Sequence, residues 1–396
     1  MKREYLYKKN KYPKLKNAEE RLRSICYERA KEIFGEDLFE DIKRRIDWEL
    51  KAIFITDTAF VLLLLMELME KNSITPNEVS LYGVSGNSLV VYLCGITDFN
   101  PLDFDLPPCF VFGINQNKSL DIALSIPSGK YNDLLNSCKF LEGIDNVICY
   151  MPESCLCDNE IKIEGIIYIP MGVDVHDAII ANICDRKTIS PKNYYYFHDF
   201  FYKQNILANE ELQLLCNLEK RTGVTLDKIK TDDMDILNFF KTVLQVPMNS
   251  LNDMIKIISF SKGGGVWTGN GEELIASGIA SFDEVIVDRE DMFNYLKSKG
   301  ITEEETFCIV ESVRKGKGLR KNDEMVMFEH NVPDWYIKSC NKIGYLPSKS
   351  SSISYVLKLC RLAYFRIHYP EVFYEEYSKI NSDLMEDYIM LKYIFD

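Results

Sequence analysis

The chain has 396 residues, a formal net charge of −13 and a hydrophobic fraction of 46%. This length is sufficient for more than one globular domain, and no apolar run approaches the ~20 residues that a membrane-spanning helix requires. The acidic balance argues against a protein whose main task is to grip DNA, because such proteins usually carry a basic excess.

Helical and strand patterns alternate in the first half of the chain. Apolar residues at helical spacing predict helices from residue 17 to about 53, with a break at Gly35, and a core helix over 56–71. A turn rich in glycine and serine, followed by an apolar run, occupies 81–95. The remaining segments predict strands at 110–113, 120–126, 164–170 and 194–207.

The second half carries helical patterns separated by short polar breaks. Ten helices are predicted, at 210–222, 233–243, 250–259, 270–278, 281–287, 291–299, 302–313, 323–329, 333–343 and 352–368, the last before Pro370. We therefore expect a mixed α+β domain over 1–208 and a helical domain over 209–396.

Twelve cysteines are scattered along the chain, mostly singly and beside apolar neighbours. This pattern is typical of reduced thiols in the cytosol, so we expect a cytoplasmic protein without a disulfide framework or a membrane contact. Cys155 and Cys157 form a close pair, and His176 is the nearest histidine. A zinc site would need further ligands at fixed spacing, so this cluster does not predict one.

The strand at 120–126 places Asp121 and Ala123 two residues apart, and such residues point to the same face of a sheet. Two acids at this spacing could share a pair of magnesium ions, whereas one acid and a methyl group cannot.

Two further segments are candidates for binding phosphate. Small residues at Gly83, Ser85, Gly86 and Ser88 would let backbone N–H groups approach a phosphate, although a tight turn alone would also explain them. Residues 314–321 contain five cations in eight residues, which a solvated basic loop would explain equally well.

Several longer stretches carry a resemblance to one family. They are GVSGNSLV at 83–90, VWTGNGEELI at 266–275, ESVRKGKGL at 311–319 and VPDWYI at 332–337, supported by 27–38, 95–102 and 355–370. Together they resemble the polymerase core of the PolC-type DNA polymerase III α subunit of low-GC Gram-positive bacteria, over roughly residues 12 to 380.

The resemblance implies a particular fold. The first domain would be a nucleotidyltransferase-type palm, a mixed sheet with helices, and the second an all-helical fingers domain. A short segment between Pro101 and Leu120 would replace the family's zinc insert, and the thumb would be deleted near 150–164. We also expect no sliding-clamp module and none of the family's OB-fold, exonuclease or PHP modules.

The resemblance also implies a metal site, which this chain keeps only in part. The family uses two magnesium ions held by an Asp-x-Asp strand and a third aspartate. The first aspartate is retained as Asp121, while Ala123 and Asn205 stand at the other two positions. Asp121 would then bind metal weakly or be a solvated strand acid, and Asp103 with Asp105 is the nearby acid pair that could replace the losses.

The expected nucleotide contacts are altered as well. Arg314, Lys315, Lys317 and Lys349 resemble the cations of the family near the incoming triphosphate. The family's arginine before Gly83 is Tyr82 here, and its histidine after Lys349 falls at Ser351. Trp267 and Trp335 are expected to be core aromatics rather than platforms for bases.

These losses favour a degenerate, catalytically inactive paralogue that acts as a binding or interference module in DNA replication or in defence against mobile elements and phage. The alternatives are an active DNA polymerase of low processivity and a dNTP-binding sensor. We expect no cofactor, or Mg²⁺ if activity remains. The expected partners are dNTP or DNA, weakly held, and a protein encoded nearby.

Overall fold

A computed structural model describes residues 12–150, 165–170, 180–183, 186–189, 202–380 and 394. In the first half the helices are α1 (Ala18–Phe34), α2 (Glu40–Ile55), α3 (Ala59–Lys71), α4 (Leu89–Leu93), α5 (Cys109–Phe112) and α6 (Ser128–Ser137). The strands are β1 (Ser80–Tyr82), β2 (Ala123–Pro127), β3 (Ile144–Tyr150), β4 (Gly165–Pro170), β5 (Ile180–Ile183), β6 (Arg186–Ile189) and β7 (Lys203–Asn209). The predictions for Cys155, Cys157, His176, residues 151–164 and the start of the strand at 194–207 lie outside the described residues.

The first half is built on α3, which is apolar on most faces, so that nine of its 13 residues are buried. α1 contributes Leu22, Cys26 and Ala30, spaced four residues apart along one face of the helix. Together with residues of α2 and the sheet, these side chains form one apolar core.

The described strands form one mixed sheet in the order β1-β2-β7-β4-β3-β6-β5. β1 runs antiparallel to β2, and β2 runs parallel to β7. The connection between these parallel strands is long, as a parallel pair requires, and β3 and β4 lie within it. The predicted mixed α+β fold is thus confirmed, and so is the strand at 164–170 to within one residue.

The second half contains ten helices within the described residues. They are α7 (Glu210–Thr222), α8 (Met234–Leu244), α9 (Leu251–Lys262), α10 (Glu272–Ala276), α11 (Arg289–Ser298), α12 (Glu303–Arg314), α13 (Lys321–Glu329), α14 (Asp334–Lys342), α15 (Lys349–His368) and α16 (Pro370–Tyr377). The prediction for 210–222 matches α7. α15 is the central helix, with 15 of its 20 residues buried.

Two predicted elements are wrong. Residues 110–113 were expected in a strand, but the carbonyl of Pro108 accepts hydrogen bonds from Val111 and Phe112, and the segment forms helix α5. Residues 281–287 were expected to be helical, but no helix covers them. There the backbone N–H and the hydroxyl of Ser281 both bind the Glu284 carboxylate, which closes a turn.

Among the described residues, no single helix is long and apolar enough to cross a bilayer; only α2 and α3 taken together, with a bend of 103° between them, meet that test of length and composition. The division of the chain near residue 208 stays a prediction.

Candidate functional site

Four positions line up across the sheet where the metal site was expected. Tyr82 pairs with Ala123, Ala123 pairs with Asn205, and Asn205 pairs with Gly165. Ala123 and Asn205, the two positions where the resembled family has aspartates, are therefore direct neighbours on parallel strands. The row presents a phenol, a methyl group, an amide and a glycine, and none of these carries a negative charge.

The predicted same-face arrangement of Asp121 and Ala123 is seen in their burial. Asp121 is exposed and Ala123 is half-buried, whereas Ile122 and Leu124 are buried. On β7, Asn205 is half-buried between buried neighbours, so that its side chain lies on the same accessible face.

The donor set on this face does not fit two magnesium ions. Mg²⁺ prefers oxygen ligands in an octahedral arrangement and is usually held by carboxylates. Asp121 supplies the one carboxylate, and Asn205 supplies a neutral amide oxygen. Among the residues that the structure describes, no group of three or more His, Cys, Asp or Glu side chains could hold a metal.

The segment that carries Asp121 is bound by Tyr202, just before β7, and by Gln204 of β7. The Tyr202 hydroxyl donates to the Leu120 carbonyl at 3.2 Å, and the Gln204 amide donates to the Ile122 carbonyl. Burial, and after it the charge of Asp121, raises the pKa of the Tyr202 phenol. These two bonds fix the backbone on both sides of Asp121.

Lys118 lies three residues before Asp121 in the same segment. Its ammonium group donates to the Phe110 carbonyl at 2.9 Å. Although Lys118 as a residue is exposed, shielding of its ammonium group from water lowers its pKa; the carboxylates of Glu311 and Asp121 oppose this shift, and Arg289 and Arg314 reinforce it. Charges from both halves therefore converge on this lysine.

Arg289 was not singled out from the sequence. It is the first residue of α11, it is 8% exposed, and its Nε donates a long 3.4 Å bond to the Pro347 carbonyl. No carboxylate of the described residues forms an ion pair with it. A buried cation without a carboxylate partner is unusual, but nothing in its local sequence signals this arrangement.

Three of the predicted cations lie on or just after the end of α12. Arg314 donates two hydrogen bonds to the Glu311 carboxylate, from Nε at 2.7 Å and from Nη2 at 2.8 Å. The Lys315 ammonium lies 3.4 Å from the same carboxylate. Lys317 is exposed and forms no ion pair with another described residue. Burial alone would raise the pKa of Glu311, but the bond from Arg314 together with the charges of Arg314, Arg289 and Lys315 outweighs it and lowers the pKa.

Lys349 lies elsewhere. Its ammonium group is 2.8 Å from Asp291, and it lines a cleft of about 630 Å³ together with Asp103 and Asp105. Burial alone would lower the pKa of Lys349, but Asp291 and Asp288 outweigh it and raise the pKa. The acid pair that could have replaced the lost ligands therefore lines the same cleft as Lys349.

The predicted phosphate-binding turn already binds a carboxylate of the chain itself. Ser88 donates to Glu49 at 2.5 Å, and the backbone N–H groups of Leu89 and Val90 donate to the same buried carboxylate at 3.0 Å. The Ser85 hydroxyl is buried and has no partner among the described residues.

The two glycines of this turn differ in their surroundings. Gly83 has a φ of +70° with open space beside it, whereas a Cβ at Gly86 would lie 2.5 Å from the Phe99 ring. A role of this turn in nucleotide binding stays a prediction.

The two tryptophans that were considered pack against other aromatic rings. The Trp267 ring lies 4.8 Å from that of Phe260, and the Trp335 ring 5.4 Å from that of Tyr336. Both side chains belong to the apolar cluster of the second half.

Comparisons with known proteins show which proteins the chain resembles in sequence. Residues 20–139 match the sequence model of the bacterial DNA polymerase III alpha NTPase domain. The chain is 27% identical over 94% of its length to DNA polymerase III PolC-type of Caldanaerobacter subterraneus, 28% over 96% to that of Bacillus subtilis, and 27% over 98% to that of Thermotoga petrophila.

The chain spans about a third of the length of these relatives, between 34% and 37%. The alignment with the first of them runs over 485 positions, more than the 396 residues of the chain. The relative therefore carries internal segments that this chain lacks.

Proposed function

Since the chain is a homologue of the PolC-type DNA polymerase III proteins, we propose that it is a catalytically inactive relative that acts as a binding module. The observation that supports this proposal is the direct pairing of Ala123 with Asn205 beside the single acid Asp121.

The chemistry of nucleotidyl transfer explains why this row matters. Two-metal catalysis needs carboxylates that hold one ion for the attacking hydroxyl and another for the leaving pyrophosphate. Bound magnesium would supply this charge stabilisation. Asp121 and Asn205 would hold it weakly, because they offer only one carboxylate and one neutral amide oxygen. Removal of a single group that stabilises transition-state charge typically lowers a rate by about 10²–10³, and two such groups are absent here.

Primer extension with purified full-length protein tests the proposal. We expect no extension above background by the wild type, and increased magnesium binding by the double variant Ala123→Asp/Asn205→Asp in calorimetry. Extension by the wild type that Asp121→Ala abolishes would instead establish the alternative, an active polymerase of low processivity.

A second candidate function is binding of dNTP without turnover. Lys118, Arg289 and Lys317 form no ion pair with any described carboxylate, and the strand positions Ala123 and Asn205 carry no negative charge. Cations without a carboxylate partner attract anions, and this favours a triphosphate as the ligand even without a divalent metal.

Calorimetry with each dNTP, in the presence and absence of magnesium, separates the two candidates. Saturable binding that Arg289→Met weakens and that magnesium does not strengthen favours the sensor. The control Arg23→Met removes a guanidinium that forms a surface ion pair with Asp47. If no dNTP binds in the presence or absence of magnesium, the result favours a function that depends on a protein partner.

The proposed setting is the cytoplasm, in DNA replication or in defence against mobile elements or phage. DNA would be bound weakly because the chain carries a net charge of −13. A nanomolar affinity for primer–template at physiological salt would contradict this expectation. Co-purification with the product of an adjacent gene tests the proposed protein partner.

A further inference from the structure

The start of α15 carries four buried serines that all form hydrogen bonds. Ser348 occupies the N-cap position, and Ser350, Ser352 and Ser354 follow at every second position. On an α-helix this spacing spreads the side chains over several faces. The four hydroxyls therefore reach different elements around the helix.

Two of these serines bind the sheet domain. The Ser350 hydroxyl donates to the Gly83 carbonyl at 2.8 Å. The Ser354 hydroxyl accepts the backbone N–H of Leu81 at 2.9 Å and lies 3.2 Å from the Ser80 hydroxyl. β1 is the last strand in the sheet order on this side, so α15 satisfies a backbone donor of an edge strand.

A buried carboxylate of the second half binds the same turn of the sheet domain. Glu290 of α11 accepts the amide of Asn87 at 3.1 Å, the hydroxyl of Ser348 at 2.9 Å and the backbone N–H of Lys349 at 2.8 Å. The turn that follows β1 is therefore bound by both α11 and α15.

Apolar and charged contacts extend this attachment over a wider surface. The Phe110 ring lies 5.4 Å from that of Phe293 and 5.5 Å from that of Phe307. Arg361 of α15 forms a buried ion pair with Asp98 and donates to the Asn77 amide oxygen at 2.8 Å.

From these contacts we infer that the serines of α15, together with Glu290 and Phe110, lock the helical half onto the sheet half, so that the segment carrying Lys118 and Asp121 and the start of α11 keep one relative position whether or not a ligand is bound. Each buried bond adds only a modest stabilisation, but a variant that leaves a buried donor without a partner loses considerably more. The lock goes beyond the proposed function, because it holds for an inactive binding module and for an enzyme alike.

Two measurements on the wild type test the lock directly. Urea unfolding followed by tryptophan fluorescence and by circular dichroism should give coincident single transitions. Hydrogen exchange of the segments around Leu81 and the start of α15 should be slow, and inorganic triphosphate should leave it unchanged. Separate transitions, or fast exchange at both segments, would refute the lock.

Variants then assign the lock to the serines. The double variant Ser350→Ala/Ser354→Ala should split the unfolding into two transitions and speed exchange around Phe110 by about tenfold. Ser352→Ala is the matched control, because its bond to Ser259 stays within the second half. If the control splits the transition and the double variant does not, the serines that contact the sheet are not the lock.

Discussion

At the scale of single residues, Glu49 organises the glycine- and serine-rich turn. Its carboxylate is fully buried, pairs with Arg45 and accepts three hydrogen bonds from Ser88, Leu89 and Val90. Arg45 also donates to the carbonyls of Asn87 and Leu106 at 2.7 and 2.9 Å. Loss of this carboxylate would leave a guanidinium and three donors without their partner.

We therefore predict that Glu49→Ala lowers the free energy of unfolding by about 3–5 kcal/mol, the range for breaking one side of a buried ion pair. Urea denaturation measures the change. Glu32→Ala, which removes an exposed ion pair with Arg29, should leave stability close to that of the wild type. If Glu49→Ala and Glu32→Ala lowered the free energy of unfolding equally, the burial of Glu49 would not be the cause of its effect.

The sequence predicts those parts of the candidate site that follow from the spacing of neighbouring residues. Strand alternation predicts Asp121 and Ala123 on one face; in the structure β2 begins only at Ala123, so Asp121 lies just before the strand, and Asn205 is paired beside Ala123. Arg289 and Glu49 could not be found in this way. Arg289 has no carboxylate partner among the described residues, and apart from Arg45 the donors to Glu49 lie 39 to 41 positions away, so neither periodicity nor composition encodes these arrangements.

At the scale of elements, α5 shows why short apolar runs are ambiguous. A run of four apolar residues suits a buried strand or a helical turn equally well, and periodicity cannot decide between them. Here Pro108, with helical backbone angles, precedes the first turn, and Gly113, with a φ of 75°, ends it. The longer helices were predicted to within a few residues, because several turns of apolar spacing define them.

α5 joins the two halves through Phe110, which is 3% exposed. We predict that Phe110→Ala lowers the free energy of unfolding by about 3–5 kcal/mol, as for other aromatic residues removed from a core. Phe140→Ala is the control, because Phe140 is 76% exposed. Thermal or urea denaturation measures both, and a small effect of Phe110→Ala would mean that α5 is not part of the core.

At the scale of the whole molecule, buried acids make stability depend on pH. Burial alone would raise the pKa of Glu78, but hydrogen bonds from Cys216, Lys130 and Thr75 outweigh it and lower the pKa. The folded protein therefore binds this proton less readily than the unfolded chain does. The stabilisation by Glu78 is present above the ordinary pKa of 4.5 and is lost as the pH falls through the folded value.

We predict that Glu78→Gln is less stable than the wild type at pH 7 and that the difference shrinks as the pH falls below about 4.5. Urea denaturation at a series of pH values measures this difference for the two proteins side by side. Glu36→Gln, at an exposed position, is the control. A destabilisation that stays constant across this range would assign the effect of Glu78 to packing instead of charge.

The bond between Leu81 and Ser354 also has a consequence during synthesis. The two residues are 273 positions apart, so the strand that needs this partner leaves the ribosome long before the helix that supplies it. At about 5–20 residues per second the delay amounts to roughly tens of seconds. For that time the nascent chain exposes an unprotected strand edge, the kind of surface that other chains can pair with. We therefore expect correct folding in the cell to benefit from chaperones that cover this edge until translation is complete.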